Sequence, residues 1–291
     1  MSQAAFQLQY RQEFVKGLEQ RRSLLMGTVT TEAMIKGNQA RFLVAGASGE
    51  TAVTRGINGL IPATGDTESL TTVTLTEWHD LRRKTSFDIF ASQSDQRRIM
   101  QMNSAAVINR KCDREVIEAL DNASSYAGTV GAAAATVSAI VGLKAILHEN
   151  GMPNDQNITA LVTPAFEAEL MAGSNAATTA SFASRDYVNR LPITGADMAW
   201  RDEPVAFRWL NMMWIVHPDL TGVGTTTADC YFYHKSAVGH AINMGEIKSV
   251  VGYDEEQDYS YARTSVYTGA AVIQTSGVYK FIHNDNNIVP A

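Results

Sequence analysis

Tyr231-Phe232-Tyr233-His234-Lys235-Ser236-Ala237-Val238-Gly239-His240-Ala241 opens the stretch that decides the fold. A helix-like patch from Lys235 to Ala241 leads into successive β-patterned runs. These close on Gly269-Ala270-Ala271-Val272-Ile273-Gln274 and Gly277-Val278-Tyr279-Lys280-Phe281, just before Asn284. Short apolar runs rich in aromatic and β-branched residues, punctuated by glycine, favour strands. Nothing in this quarter of the chain has the spacing of a catalytic motif, so a building block rather than a catalyst is expected.

Upstream, the pattern alternates between helix and strand. Phe6 to Met26 has helix-compatible composition with apolar Phe14, Leu18 and Leu25, and an extended run follows through Gly27 to Thr30. Arg41 to Ala45 reads as a strand. Gly46, Gly49, Gly56, Gly59, Pro62 and Gly65 then punctuate the chain, and Leu70 to Trp78 returns as a second strand. A lone two-stranded excursion is marginal in water, so this one is expected to lie on a core or on a neighbouring subunit.

Ser94 to Asp121 predicts a long helix. Ser94 and Asp95 can cap it, Ala105, Ile108, Cys112, Val116 and Leu120 form one stripe, and Arg97, Arg98, Arg110 and Asp113 fall off that stripe. At about 1.5 Å per residue such a helix spans about 38 Å, enough to back a whole domain. After an Ala/Gly-rich link, a helix is expected over Ala134 to Asn150 and a strand over Ile158 to Val162. Pro164 opens a short helix to Met171, Gly173 to Gly195 reads as a polar loop, and Pro204 to Val216 is strand-rich with Trp209 and Trp214. Helices and strands are mixed with strands clustered at the end, so the class is α+β. No fixed-period repeat runs through the chain.

The composition narrows the function. The chain has 291 residues, 45% hydrophobic and 19% charged, with a formal charge of -6. That balance argues against a surface that grips nucleic acid everywhere and leaves only local contact open. Cys112 and Cys230 are too few and too far apart for a disulfide framework and fit a reducing compartment. The first residues lack the apolar core of a signal peptide, and no stretch approaches the roughly 18 apolar residues of a membrane span, so a soluble protein without membrane partners is expected.

Three candidate chemistries are weak. Phe42 to Ala52 offers a strand followed by Gly46-x-x-Gly49, the start of a dinucleotide turn. Breakers fill the place of the required helix, and Ala52 holds the third glycine position. A nucleotide-dependent oxidoreductase built there would lose cofactor binding on Gly49→Val. Cys230, His234 and His240 lack a fourth ligand at zinc spacing, and the aromatic run around them reads as core. His217, Asp219 and the many serines lack any nucleophile-elbow signature. No enzyme activity, cofactor or metal is expected.

Charge distribution says more. Arg82, Arg83, Lys84, Arg97, Arg98, Arg110, Lys111 and Arg114 stand against Asp88, Asp95 and Asp113, a local balance of +5. Asp254, Glu255, Glu256 and Asp258 form an acidic counterpart. These are either solvated faces or complementary patches that meet between copies and set register. In the second case Arg82, Arg83, Lys84, Arg97, Arg98, Asp254, Glu255, Glu256 and Asp258 are the candidate inter-subunit contacts. The basic strip could alternatively face nucleic acid through sequence-independent phosphate contacts.

Three blocks, in order, resemble the major capsid proteins of tailed phages of the Hong Kong phage type. The first is the arm, the glycine-rich β excursion and the long helix. The second is Leu147-His148-Glu149-Asn150-Gly151-Met152-Pro153 leading to Leu161-Val162-Thr163-Pro164-Ala165-Phe166 and Leu170, and the third is the closing segment. The resemblance implies an N-terminal arm (1–40), an extended loop (41–84), a peripheral domain with a spine helix (85–135), an inserted axial domain (136–227) and peripheral return strands (228–291). It further implies pentamers and hexamers tiling an icosahedral shell around double-stranded DNA, in a virion assembled in the host cytoplasm, with portal and decoration proteins as further partners. A tail-tube or decoration subunit is the alternative of the same kind. Some relatives cross-link through a lysine in the extended loop, but none lies between Lys36 and Lys84, so covalent chain-mail is not expected. The short arm beginning at Met1 suggests a separate scaffolding protein, or none, and no maturation cleavage.

Overall fold

The computed structural model describes residues 20–46 except 21, 34 and 36, together with 52–55, 58–59, 61, 63, 65–91, 95–172, 206–243 and 247–287. The side chains at 171–172, 206–207 and 287 are excepted. Most of the expected Phe6 to Met26 helix and the whole Gly173 to Gly195 loop lie outside the described residues.

A 3-10 turn, Met26–Thr28, leads into β1 (Thr30–Glu32). A ribbon follows, β2 (Gln39–Gly46) antiparallel to β3 (Thr67–Thr74), with Leu43 opposite Leu70 and its base closed by Leu75 N–H donating to the Asn38 carbonyl at 2.8 Å. The expected extended loop of 41–84 takes in most of this ribbon and runs on past it. Residues Thr76–Thr85 form β4, which leaves the ribbon to pair in a larger sheet. Next come α1 (Ser86–Ala91) and α2 (Gln96–Asp121), whose first turn is capped by the Asp95 carboxylate accepting from Arg98 N–H at 3.2 Å.

The Ala/Gly-rich link is partly a strand, β5 (Gly128–Ala133). Its small residues permit a close approach: a Cβ at Gly128 would sit 2.4 Å from the Tyr279 ring. The link thus reads as loop by composition and folds as strand by tertiary pairing. Helix α3 (Val137–Glu149) starts at Thr136, whose hydroxyl accepts from Ala139 N–H, and stops at Gly151, with φ +86°, two residues before Pro153. Strand β6 (Ile158–Val162) and helix α4 (Pro164–Ala172) match expectation, with Thr163 capping α4 by accepting from Phe166 N–H.

Five-residue β8 (Met212–Val216) pairs antiparallel with β7 (Ala206–Trp209). Strand β9 (Ala228–His234) ends where the expected helix-like patch begins. Only Lys235–Ala237 makes a turn there, with the His234 ring accepting from Ser236 N–H, and Val238–Ile242 is β10. Pairing with β1 and with a later strand of the chain holds this segment extended, and Gly239 leaves room for neighbouring side chains, since a Cβ there would lie 2.7 Å from Ile273 Cδ1. Strands β11 (Lys248–Asp254), β12 (Tyr259–Val272) and β13 (Val278–His283) complete the chain.

Two sheets result. One has the order β1-β10-β12-β11, with β4 on the other edge of β12; the second has the order β5-β13-β9-β6-β8-β7. Strands β9 and β13 both belong to the second sheet, hydrogen-bonded through β9 to β6. The expected boundary at 227/228 therefore cuts through one sheet, and the closing quarter of the chain is shared between two. Strand periodicity organises the six-stranded sheet. Ala160, Trp214, Cys230, Phe232 and Phe281 face α3 and α4, while Leu161, Ile215, Tyr231, Tyr233 and Val278 face the other way.

Helix α2 joins the two sheets. Its Ile108 and Cys112 pack with Val266 and Ile242 of the five-stranded sheet, and its Val116, Ile117 and Leu120 pack on the second face of the six-stranded one. The buried stripe begins at Met100 and continues through Ser104, while Ala105 is exposed. Asp113, expected off the stripe, is fully buried.

Candidate functional site

The sequence candidates for chemistry are dispersed. Cys230 is buried among Phe232 and Phe281, and burial pushes its thiol up to about 12, the wrong direction for a nucleophile. His234 bonds to Asp155 at 3.0 Å and Ser236 at 2.7 Å, while His240 lies in the other sheet with Nε2 on the Thr268 hydroxyl at 2.7 Å. No group of three or more His, Cys, Asp or Glu among the described residues is arranged to hold a metal. His217 accepts from Asp219 N–H through Nδ1, and its Nε2 stands 3.9 Å from Asp113, which itself accepts from Ser23. The acid thus sits between serine and histidine, which is not the order of a serine–histidine–acid triad, in which the histidine contacts the hydroxyl. Gly46 closes an antiparallel ribbon strand instead of leading from a parallel strand into a helix, and Gly49 lies outside the described residues.

Sequence reading missed a buried Glu169–His283–Asp285 cluster. His283 Nδ1 lies 2.6 Å from Asp285, and Nε2 contacts Glu169. Asp285 also accepts from the Thr163 hydroxyl and Gly224 N–H, and Glu169 from Ala135 N–H. All three residues are buried. The cluster fastens α4, the entry to α3 and the C-terminal segment rather than presenting a reactive atom. Only the acidic and histidine residue types signal it, since its members are far apart in sequence.

The nine charged candidates gather at one end of the five-stranded sheet. Strand β4 puts Arg82 and Lys84 on the face toward α2 and Arg83 on the opposite face, because side chains alternate along a strand. Arg82 pairs with Asp80 at 3.1 Å, Lys84 donates to Gln96, and Arg97 donates to the Ser260 hydroxyl at 3.3 Å. The Arg83 guanidinium lies 4.8 Å over the Tyr259 ring. The acidic set occupies the turn between β11 and β12, where Asp258 has φ +49° and accepts from Ser86 at 2.6 Å and from Tyr253. Those hydroxyl donors hold its carboxyl below the usual range. Basic and acidic groups are therefore neighbours within one subunit, yet no ion pair joins the two sets among the described residues. Arg98, Glu255 and Glu256 are exposed.

Two groups of large apolar side chains are exposed, one on the ribbon and one on α1. Leu43 and Leu70, opposite each other on the ribbon, are 62% and 55% exposed, and Phe87 and Phe90 of α1 are 74% and 86% exposed. Large apolar side chains grouped at a surface mark contact with another molecule. No helix among the described residues is long and apolar enough to cross a membrane.

A family model described as phage capsid protein matches residues 2–284. Among solved structures, the capsid of Ralstonia phage GP4 superposes with a TM-score of 0.72 at 9% identity, covering 98% of this chain and 97% of that one. The cyanophage Pam1 capsid asymmetric unit gives 0.69 at 10% identity, covering 99% and 98%. The Mycobacterium phage Che8 chain gives 0.67 at 13%, covering 97% and 98%. No curated protein sequence matches. Identities this low carry the fold, and the family match carries membership: the chain belongs to the phage capsid protein family, with the α+β fold of tailed-phage major capsid proteins of the Hong Kong phage type.

Proposed function

We propose that this chain is the major shell subunit of a tailed phage, assembling with copies of itself as pentamers and hexamers into an icosahedral shell around double-stranded DNA. The ribbon of β2 and β3 carries the reading. Two strands alone are marginally stable, and this pair turns Leu43 and Leu70 outward rather than onto its own subunit. A subunit offering several different contact surfaces forms heterologous contacts, which close into rings and shells when the rotations allow. In this reading α2 with the five-stranded sheet is the peripheral domain, α2 is its spine, and the six-stranded sheet is the axial domain. That assignment moves β5, β9 and β13 into the axial part.

Arg83, Arg98, Glu255 and Glu256 are then the charges best placed to meet another copy, with Arg82, Lys84, Arg97, Asp254 and Asp258 supporting them from within the subunit. Contacts of this kind set register more than affinity. Packaged DNA would be met without sequence preference, and portal, decoration or scaffolding proteins would be separate chains. Electron microscopy of the expressed protein tests the proposal. Capsomers or closed shells are expected, and a species that stays monomeric under every assembly condition would overturn it. Tubes would point to a tail-tube subunit, and binding only to preformed shells would point to a decoration protein.

A further inference from the structure

Strands β6 and β9 run side by side with Ile158 opposite His234, so the residues just before β6 stand against the end of β9. Asp155 is among them. His234 ends β9 with its ring buried, and its Nε2 lies 3.0 Å from Asp155 Oδ1 and 3.2 Å from Oδ2. On the other side of the ring, Nδ1 lies 2.7 Å from the Ser236 hydroxyl and accepts from Ser236 N–H at 3.2 Å. A backbone N–H can only donate, so Nδ1 carries no proton. That fixes the tautomer: Nε2–H donates to Asp155, and the Ser236 hydroxyl donates to Nδ1. Serine, histidine and acid therefore follow the order that Ser23, Asp113 and His217 lack, with the two ring nitrogens exchanged relative to the serine-protease arrangement.

Acid and serine are each held by bonds of their own. Asp155 accepts from the Asn157 side-chain amide at 2.7 Å and from Asn157 N–H at 3.1 Å, and Lys235 N–H donates to the Asn157 carbonyl at 3.0 Å. Burial pushes the Asp155 carboxyl up, but those amides and the His234 ring hold it below its ordinary range, so it meets Nε2–H as a carboxylate. Ser236 is exposed and lines a pocket of about 60 Å³ bordered by Gly151, Pro153, Gln274, Ser276 and Gly277. That space suits an acetyl-sized group rather than a long acyl chain. Gln274 and Ser276 bring an amide and a hydroxyl to the same pocket, the donor types that stabilise an oxyanion.

We propose that Ser236 is a nucleophile for small acyl groups, with His234 as its general base and Asp155 as the residue that orients the ring, so that the subunit hydrolyses short-chain esters at this pocket. The Ser236 proton passes to His234 Nδ1 as Oγ bonds to the ester carbonyl carbon, whose π electrons move onto the oxygen. Collapse breaks the bond to the leaving alcohol, which takes the proton from Nδ1. Water then attacks the acyl-serine, giving a proton to Nδ1, and Oγ leaves with that proton to restore the serine and release the acid. The proposal is independent of the shell reading.

The test uses the full chain, unassembled, with its S236A, H234Q and D155N variants. A small fluorophosphonate, which bonds to a nucleophilic serine as fluoride leaves, is located by mass spectrometry, and p-nitrophenyl acetate reads turnover. Wild type should label at Ser236 about tenfold or more faster than at Ser276, which lines the same pocket with no histidine bonded to it among the described residues. H234Q keeps an oxygen for Ser236 N–H and loses the base, so labelling should slow about hundredfold. D155N should slow it less, because this acid is 39% exposed and screened by water. S236A should release p-nitrophenol no faster than H234Q. Labelling at Ser236 no faster than at Ser276, or H234Q labelling at the wild-type rate, overturns the proposal. If H234Q fails to unfold cooperatively in urea, the ratio of Ser236 to Ser276 labelling decides. A ratio near one in wild type refutes the nucleophile, a high ratio that falls in D155N supports the triad, and one unchanged in D155N removes the acid from it. An acetyl adduct on Ser236 that never turns over overturns the hydrolysis and keeps the nucleophile.

Discussion

Acid should weaken this subunit through His240, and the size of the effect follows from where the ring sits. His240 lies in β10 with no exposure, its Nε2 bonded to the Thr268 hydroxyl and its Nδ1 without a partner. Burial pushes the imidazole from 6.5 down to about 4, with the Asp113 charge pulling weakly the other way. Between those two values the unfolded chain binds a proton that the folded chain refuses. Stability is therefore full above about pH 6.5 and falls as pH drops toward about 4. At about 1.4 kcal/mol per decade, the loss over the window is about 3 kcal/mol, a large share of a domain's net stability. His240→Gln removes the titration and keeps a side chain able to bond Thr268. Urea unfolding of the unassembled wild type and H240Q, from pH ~7 to pH ~4.5, reads the difference and cancels the acid response of carboxylates common to both. H240Q should be the less stable protein near neutrality and lose its disadvantage as the pH falls. Parallel curves with a constant gap across the window would refute the reasoning.

Gly269→Ala places a Cβ 2.5 Å from the Thr74 carbonyl oxygen, so the ribbon base must shift away from β12, and urea unfolding should register a loss of about 1–3 kcal/mol. His283→Ala leaves Glu169 and Asp285 buried with one donor fewer each, at a cost of about 3–5 kcal/mol in the same assay; a loss below about 1 kcal/mol would show that the cluster is not held by the ring. Leu43→Glu with Leu70→Glu alters only exposed ribbon positions, so subunit stability should stay within about 0.5 kcal/mol per site while shell formation fails; normal shells from the double variant would show that this face of the ribbon stays free.

Local pattern carried much of the fold and little of the fastening. Strand β6, the start of α4 at Pro164 and the capped start of α2 are readable because each is set by neighbours in sequence: an apolar run, a fixed proline φ and an acidic cap. Strand β5 is not readable, since Gly128–Ala133 becomes a strand only by pairing with β13 beyond residue 277. Asp113 misleads for the same reason. Its polarity predicts a solvated face, and its donors lie about ninety positions earlier in the chain. The charged candidates were readable as residue types, but their division between the two faces of β4 appears only once its register with β12 is known.

The sheet topology also bears on how the chain must be made. Among the described residues, strand β4 pairs only with β12, and β5 only with β13, so strands completed early in synthesis wait for segments near the end before either has a hydrogen-bonded partner. Non-local pairing of this kind slows folding and leaves strand edges open to other chains in the meantime. A ribosome-bound chain stopped short of Tyr259 cannot close the five-stranded sheet, and one stopped short of Val278 cannot join β5 to the six-stranded one. A cell making many copies at once would hold a crowd of half-paired chains, so the time between translation and release is when this protein most needs protection from its own copies.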